Sequence, residues 1–464
     1  MKTSLGLFAL ALLTPLAYAA TATAPATQPI GWDAVPAILA RIKPPQFPNR
    51  DFPITNYGAK VGGEMDATDA IRQAIAAAHA AGGGRVVVAG GVFLTGAVHL
   101  KSNVNLHIAE GATLKFSPDP AKYLPVVLAR YEGTEVMNYS PLIYAFEQEN
   151  IAVTGKGTLD GSASPETWWG LGRRAAAAAL AGAPRLMGTR ELIEMGEKGV
   201  PVEQRIFGDK GTLRPNFLVP YRCRNILIED IHIVASPMWE INPVLSSNVT
   251  VRGVNIVSHG PNNDGCNPDS CRDVLIENCL FDTGDDCIAI KSGKDADGRR
   301  VNVPSENIIV RNCQMKAGHG GVVLGSENSG GIRNVYAENC RMDSPDLDRA
   351  LRLKTNSGRG GYLENVYFRN VEVGQVVHSV LTIDLVYGRV PDGPIPPTVR
   401  NVQMENVTVA KAPRVLSIVG TPKSVIENVR IVNSVFKGVE GPDQLVRSGT
   451  VTYENVTVEA AVKK

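Results

Sequence analysis

A short phrase recurs along the second half of the chain: apolar residues alternating around one Asn or Asp. It stands as "RNILIEDIHI" (224–233), "SNVTVRGVNI" (247–256), "RDVLIENCLF" (272–281), "ENIIVRNCQM" (306–315), "RNVYAENCRM" (333–342), "ENVYFRNVEV" (364–373), "RNVQMENVTV" (400–409), "ENVRIVNSVF" (427–436) and "ENVTVEA" (454–460). The anchors are Asn225, Asn248, Asp273, Asn307, Asn334, Asn365, Asn401, Asn428 and Asn455, at steps from 23 (248 − 225) to 36 (401 − 365) residues. Self-similarity at such a period signals a solenoid. The units are rich in Val and Ile and alternate with period two, so they predict strands; helical repeats would space apolar residues by three and four. No heptads and no leucine-rich consensus occur. One short strand phrase per coil predicts an all-β chain, a parallel β-helix in which every coil needs neighbours to bury its inner face. Recurrent Asn at one turn predicts amides stacked along the axis. Asn-Val-Thr at 248–250 is then a rung of that stack rather than a glycosylation site.

Earlier segments extend the pattern. "GGRVVVAGGVFLTGAVHLKSNVNLHI" (83–108) and "ENIAVTGKGTLDG" (149–161) predict further strands. Before them, 66–84 predicts one helix, with Asp66 or Thr68 at its N-cap, Ile71, Ile75 and Ala78 on one face, and Gly82 as terminator. Such a helix would plug the open end of the solenoid. One stretch breaks the rhythm. Asn150 and Asn225 are 75 residues apart (225 − 150), which suggests about two extra coils, and "RRAAAAALAG" and "TRELIEMGEKG" within it look helical.

The first residues carry Lys2, an apolar run from Leu5 to Leu16, and Ala17-Tyr18-Ala19, the layout of a cleaved secretory signal. The expected organisation is a signal peptide at 1–19, a linker at 20–51, and one β-helix domain at 52–464 with an insertion around 162–215. The protein is expected to be secreted or periplasmic. Lys+Arg 47 against Asp+Glu 46 leaves no basic field, which gives no support for nucleic-acid or membrane-surface binding. Of seven cysteines, Cys279, Cys313 and Cys340 share one frame and none forms a C-x-x-C pair, so a buried thiol stack is expected rather than a metal site.

Chemistry collects on one stripe. In "FDTGDDCIAI" (281–290) two aspartates precede an apolar strand, and an unbroken strand would turn one of them onto the isoleucine face. Either Gly284 bends the chain so that both emerge together, or the stretch is a polar turn. Asp264 lies 21 residues (285 − 264) before Asp285, close to one coil. Asp285 is 12 past Asp273, and His319 is 12 past Asn307, which sets His319 beside Asp285 one coil on. Strands in neighbouring coils lie about 4.8 Å apart. One coil further, Arg352 and Lys354 are spaced i, i+2 and face one side, and Tyr387 follows. Lys291 is expected to salt-bridge an aspartate, and His259 and Asp269 to shape the turn.

At this point the chain resembles the polygalacturonase family of glycoside hydrolases. Its four signature segments appear in order: Asn262-Asn263-Asp264, Gly284-Asp285-Asp286, Gly318-His319-Gly320 and Arg352-Leu353-Lys354. Asn263 departs from the Thr of many members. The resemblance implies a right-handed parallel β-helix that hydrolyses α-1,4 bonds between galacturonate units of pectin with inversion. Asp285 would be the general acid, Asp264 and Asp286 would hold the water, and His319 would position the acid. Arg352 and Lys354 would bind the uronate carboxylate, with Tyr387 and Asn262 lining the sugar site. Glycoside hydrolysis needs one protonated and one ionised carboxyl, and packing aspartates together raises the pKa of at least one. No metal or cofactor is expected; the partner would be a pectic polysaccharide or oligogalacturonide, and the protein a monomer. The insertion, with Arg205 and Arg214, is expected to fold over one end of the groove and give exo cleavage. Alternatives are a rhamnogalacturonan or xylogalacturonan hydrolase, and a pectate-lyase-type lyase on the same fold.

Overall fold

The structure, a computed structural model, describes residues 31–389 and 393–462; the expected signal peptide lies outside them. The repeated phrases form one ladder of parallel strands. Arg224–Glu229 pairs with Ser247–Arg252, then Arg272–Glu277, Ser305–Arg311, Ile332–Glu338, Tyr362–Gln375, Thr398–Lys411 and Val425–Val432 follow in register. The architecture is the expected parallel β-helix.

The anchors have two reasons to be Asn. Each sits in left-handed backbone conformation, with φ of 58° at Asn225, 54° at Asn248 and 57° at Asp273, a region that Asn and Asp tolerate better than other non-glycine residues. Each amide then donates to the one before it: Asn248 to Asn225 (2.7 Å), Asn334 to Asn307 (3.1 Å), Asn365 to Asn334 (3.0 Å) and Asn401 to Asn365 (2.9 Å). Asp273 accepts from Asn307 but has no N–H to pass on. It takes Arg41 instead, at 2.8 Å. Asn455 is a correction. It bonds to Asn433 (2.8 Å), in a second ladder that also joins Asn406 to Asn370 and Asn370 to Asn339. Coils of this region carry two Asn five residues apart, such as Asn428 and Asn433, so the phrase alone did not distinguish the two frames.

Arg41 belongs to α1 (Val35–Arg41), within the stretch expected as a linker. Its Ile38 and Val35, with Trp32, pack on Ile309, Tyr336 and Tyr367 outside the ladder, because those outward positions are apolar enough to need a cover. Helix α2 (Thr68–Ala80) closes the first coil with Ile71, Ala74, Ile75 and Ala78 buried; its N-cap is Ala67 rather than Asp66 or Thr68, and Asp66, one residue earlier, accepts from the Thr68 N–H at 2.9 Å. All seven cysteines are buried and unpaired.

The long gap holds no extra coils. Ile143–Phe146 pairs directly with Leu218–Tyr221, and Asn225 donates to Asn150 at 2.9 Å, so the two are successive rungs. The 75 residues are one coil with one excursion, which carries α3 (Leu171–Leu180) and α4 (Thr189–Glu197). Dividing length by period fails where a turn swells into a wall. A hairpin not foreseen in the sequence, Val127–Tyr131 against Thr134–Asn138, stands beside this excursion. Hairpin and excursion share a small apolar core: Tyr131, Val136, Leu192, Phe207 and Leu213 close over Met238 and Trp239 of the solenoid. A short helix, α5 (Asp295–Val301), flanks them.

Candidate active site

One face of the solenoid carries the chemistry. Its inward residues, Leu218, Ile241, Cys266, Ile288, Val322 and Leu351, pair coil to coil and fill the core. At Ile241 and Cys266 the ladder thins to isolated bridges. There the backbone departs from regular strand, and the row before each inward residue turns outward with Trp239, Asp264 and Asp286. Gly284 makes this possible by close approach. A Cβ there would lie 2.4 Å from the Gly260 carbonyl oxygen, so the chain turns tightly against the preceding coil just before the two aspartates.

The three aspartates converge: one carboxylate oxygen from each of Asp264, Asp285 and Asp286 lies within 4.8 Å of the others. Their surroundings differ. Asp286 is fully buried, accepts from Lys354 Nζ at 2.6 Å and has Arg352 at 3.6 Å. Asp264 is 4% exposed, accepts from Asn267 Nδ2 at 3.0 Å and has Lys291 Nζ at 3.5 Å. Asp285 is 20% exposed and bonds His319 Nδ1 at 2.9 Å. Asp285 is thus the carboxyl presented to the groove. Three acids at this spacing could also bridge a divalent ion, but Lys291, Arg352 and Lys354 already supply the opposing charge.

Protons distribute accordingly. Burial, and then the Asp285 charge, push the Asp264 carboxyl well above its ordinary pKa. Burial alone would raise Asp285 as well, but its hydrogen bond from His319 and the Lys354 charge outweigh burial and hold it below the ordinary value. His319 is raised, first by that same hydrogen bond. The surroundings thus push the two carboxyls in opposite directions, Asp264 toward holding a proton and Asp285 toward ionisation beside His319. A trio in which at least one acid is raised was expected; the raised one is Asp264.

The remaining expected residues fall into place unevenly. Tyr387 lies with its ring centre 5.5 Å from the Arg352 guanidinium and 5.2 Å from Lys354 Nζ, within cation–π range. Asn262 Oδ1 accepts from Arg214 Nη2 at 2.6 Å. Lys291 salt-bridges Asp264 as expected, and Glu327 too at 3.1 Å, over the ring of Trp239 at 4.3 Å. Asn263 is structural: it accepts from Ser258 and Gly260 and donates to the carbonyls of Ser236 and Met238. His259 meets Asp282 at 3.0 Å. Asp269 shapes no turn in isolation; it pairs with Arg130 of the hairpin. Arg205 does not reach the groove and is buried against Asp297 at 2.7 Å. Trp239, Asn267 and Glu327 were missed. Their signal is positional only: Asn267 stands three residues after Asp264, and Trp239 and Glu327 join the site through Lys291.

The comparisons agree with this geometry. The family model described as "Glycosyl hydrolases family 28" matches residues 203–461, more than half of the chain. An "Exo-poly-alpha-D-galacturonosidase" of Dickeya chrysanthemi is 30% identical over 72% of this chain and 57% of its own length. A "Probable polygalacturonase" of Vitis vinifera is 30% identical over 62% of this chain and 53% of its own. The chain thus spans about half the length of these curated relatives. The solved structure of a hyperthermoactive exopolygalacturonase from Thermotoga maritima superposes with a TM-score of 0.86 at 45% identity, covering 92% of this chain and 95% of that one. The four ordered motifs, the parallel β-helix and the family match agree, and the chain belongs to the glycosyl hydrolases of family 28.

Proposed function

We propose that the protein is a polygalacturonase that works from chain ends, hydrolysing α-1,4 bonds between galacturonate units of pectin with inversion. The observation that carries this reading is the convergence of Asp264, Asp285 and Asp286 beside the Arg352–Lys354 cation pair on one outward row. A uronate carboxylate seated on those cations adds negative charge next to Asp285 and excludes water from it. Both effects raise its proton affinity, so Asp285 takes up a proton as substrate binds. Asp285 then protonates the leaving oxygen, and Asp264 and Asp286 hold the attacking water.

The carboxylates are closer than the roughly 6.5–9.5 Å usual for inverting enzymes. Accessibility argues the other way. A covalent mechanism needs a free carboxylate to attack the sugar, whereas Asp286 is clamped by Lys354 and Asp264 is braced by Asn267 and Lys291. Water activation fits such held acids better than covalent attack. End-wise action is supported by the wall over Met238 and Trp239, one coil before Asp264, where hairpin and insertion share a core.

One time-resolved product analysis on polygalacturonate tests both points. Mono- or digalacturonate should accumulate while viscosity falls slowly, and the first product should carry the inverted anomeric configuration. A steep viscosity drop at low conversion would sink the exo reading; a retained anomer would sink inversion.

Neutralising Arg352 or Lys354 (Arg352→Gln, Lys354→Met) should lower kcat/KM on the free acid by about 10- to 100-fold, the range for a hydrogen bond to a charged group. Lys354→Met also leaves Asp286 without its nearest counter-charge, so kcat should fall with it. The same substitutions should matter less on methyl-esterified substrate. Equal damage on both substrates would count against carboxylate pairing.

A further inference from the structure

Arg214 stands where the insertion rejoins the solenoid, four residues before the strand Leu218–Tyr221. Its guanidinium reaches over the next two coils. Nη1 donates to the carbonyls of Pro237 and Pro261, the latter at 2.9 Å, and Nη2 donates to Asn262 Oδ1 at 2.6 Å. All three acceptors are neutral. Among the described residues no carboxylate pairs with Arg214. Glu132, at the hairpin tip, acts on it only at longer range and is itself engaged by Lys294 at 3.1 Å. Its neighbours differ in this respect: Arg130, Arg205, Arg300, Arg352 and Arg359 each have a carboxylate partner.

A largely buried guanidinium without a counter-ion is costly, and arginine cannot shed its charge to escape the cost. Burial does lower its pKa, with Tyr131 and Glu132 offsetting part of the effect. Three of its five N–H groups are used, and two remain, the number a carboxylate accepts in a bidentate pair. The three bonds it does make fix the plane of the group, so little is lost in ordering it when an anion arrives. Its position matters as much as its charge. It touches Asn262, two residues before Asp264, and it lies with Tyr131 under the wall that stands before the catalytic coil. Arg352 and Lys354 stand on the other side of the aspartates, in the following coils.

Resting on the galacturonan reading above, we propose that Arg214 binds the carboxylate of the terminal galacturonate at the walled end of the groove. The wall then does more than block the groove. It carries the counter-ion that only a uronate at a chain end can bring, and the enzyme recognises a terminus by its charge as well as by its shape.

The test uses the full-length protein, trigalacturonate, and the two trimers that carry one methyl ester, on one terminal unit or the other. The wild type should lose about 10- to 100-fold in kcat/KM on the trimer esterified at the walled end. Esterification at the opposite end should give a different loss, one that Arg214 does not alter. Arg214→Gln should lose a similar factor on the free acid, mainly in KM, and should no longer distinguish the walled-end ester from the acid. Arg214→Lys, which keeps the charge, should retain part of the discrimination. If Arg214 merely braces the loop before Asp264, both variants will lower kcat alike on all three trimers and leave the ester discrimination intact, which would overturn this inference alone. A wild type inactive on trigalacturonate would overturn the galacturonan reading and this inference with it.

Discussion

Asp285→Asn is expected to remove turnover while leaving the fold intact. The substitution keeps the size of the side chain and removes its ability to donate a proton to the leaving oxygen. Loss of a proton-transfer group costs about 100- to 10,000-fold in rate, so kcat should fall by at least that lower figure. Stability should change little, because Asp285 is the most exposed of the three aspartates and fills no core position. The pH profile should change as well. The raised pKa of His319 rests first on its bond to Asp285. With an amide in that place His319 should titrate nearer its ordinary value, and residual activity should lose the alkaline limb set by that pair. Near-normal kcat in Asp285→Asn, with Asp264 and Asp286 intact, would show that the acid has been misassigned and would direct attention to Asp264, whose carboxyl burial pushes upward.

Arg130→Met should destabilise the protein by about 3–5 kcal/mol, the usual cost of stranding one member of a buried ion pair. Arg130 and Asp269 are each 1% exposed and meet at 2.8 Å, and Arg130 Nη1 also donates to Ser270 Oγ at 3.0 Å. The Gly293 N–H bonds the same carboxylate at 3.0 Å. Removing the guanidinium leaves Asp269 dry and without its counter-charge, with only that N–H and the Ser270 hydroxyl at 3.4 Å as donors. The double variant Arg130→Met, Asp269→Leu should recover most of the loss, since well-packed apolar residues often match a buried pair. Unfolding midpoints of the wild type, the single variant and the double variant would check both statements. A single variant as stable as the wild type would mean that water reaches the pair, contrary to its burial.

These two sites differ in how openly the sequence announced them. The solenoid was legible because its physics is local and repeated: Val and Ile at period two, and an Asn, or Asp at 273, at the left-handed turn that opens each of these strands. The alignment of Asp285 with His319 followed from counting residues past Asp273 and Asn307, and the 2.9 Å contact agrees with that count. The pairing of Arg130 with Asp269 was hidden, because 139 residues separate them and nothing local marks either one. The hairpin that carries Arg130 was hidden for the same reason. It pairs with itself, and the ties that hold it down are long-range ones such as Lys294 to Glu132. Arg205 illustrates the opposite error. A basic residue in an insertion suggested a groove contact, and only the partner at Asp297 reveals it as an internal strut. The coil count failed at the insertion because residue number measures chain length, while the solenoid advances by rungs.

That last distinction bears on how such a molecule can change over generations. Asp264, Asp285, His319 and Arg352 issue from four successive coils. Their separation along the axis is set by the inter-strand spacing of about 4.8 Å, whether the step along the chain is 21 residues (285 − 264) or 34 (319 − 285). A turn can therefore lengthen into a hairpin or a helical wall without moving any catalytic atom. Gain or loss of a whole coil within this span would instead displace every group beyond it by a full step. Variation in loop length and variation in coil number are thus uncoupled dials, one adjusting what may enter the groove and the other fixing the spacing of the groups along it.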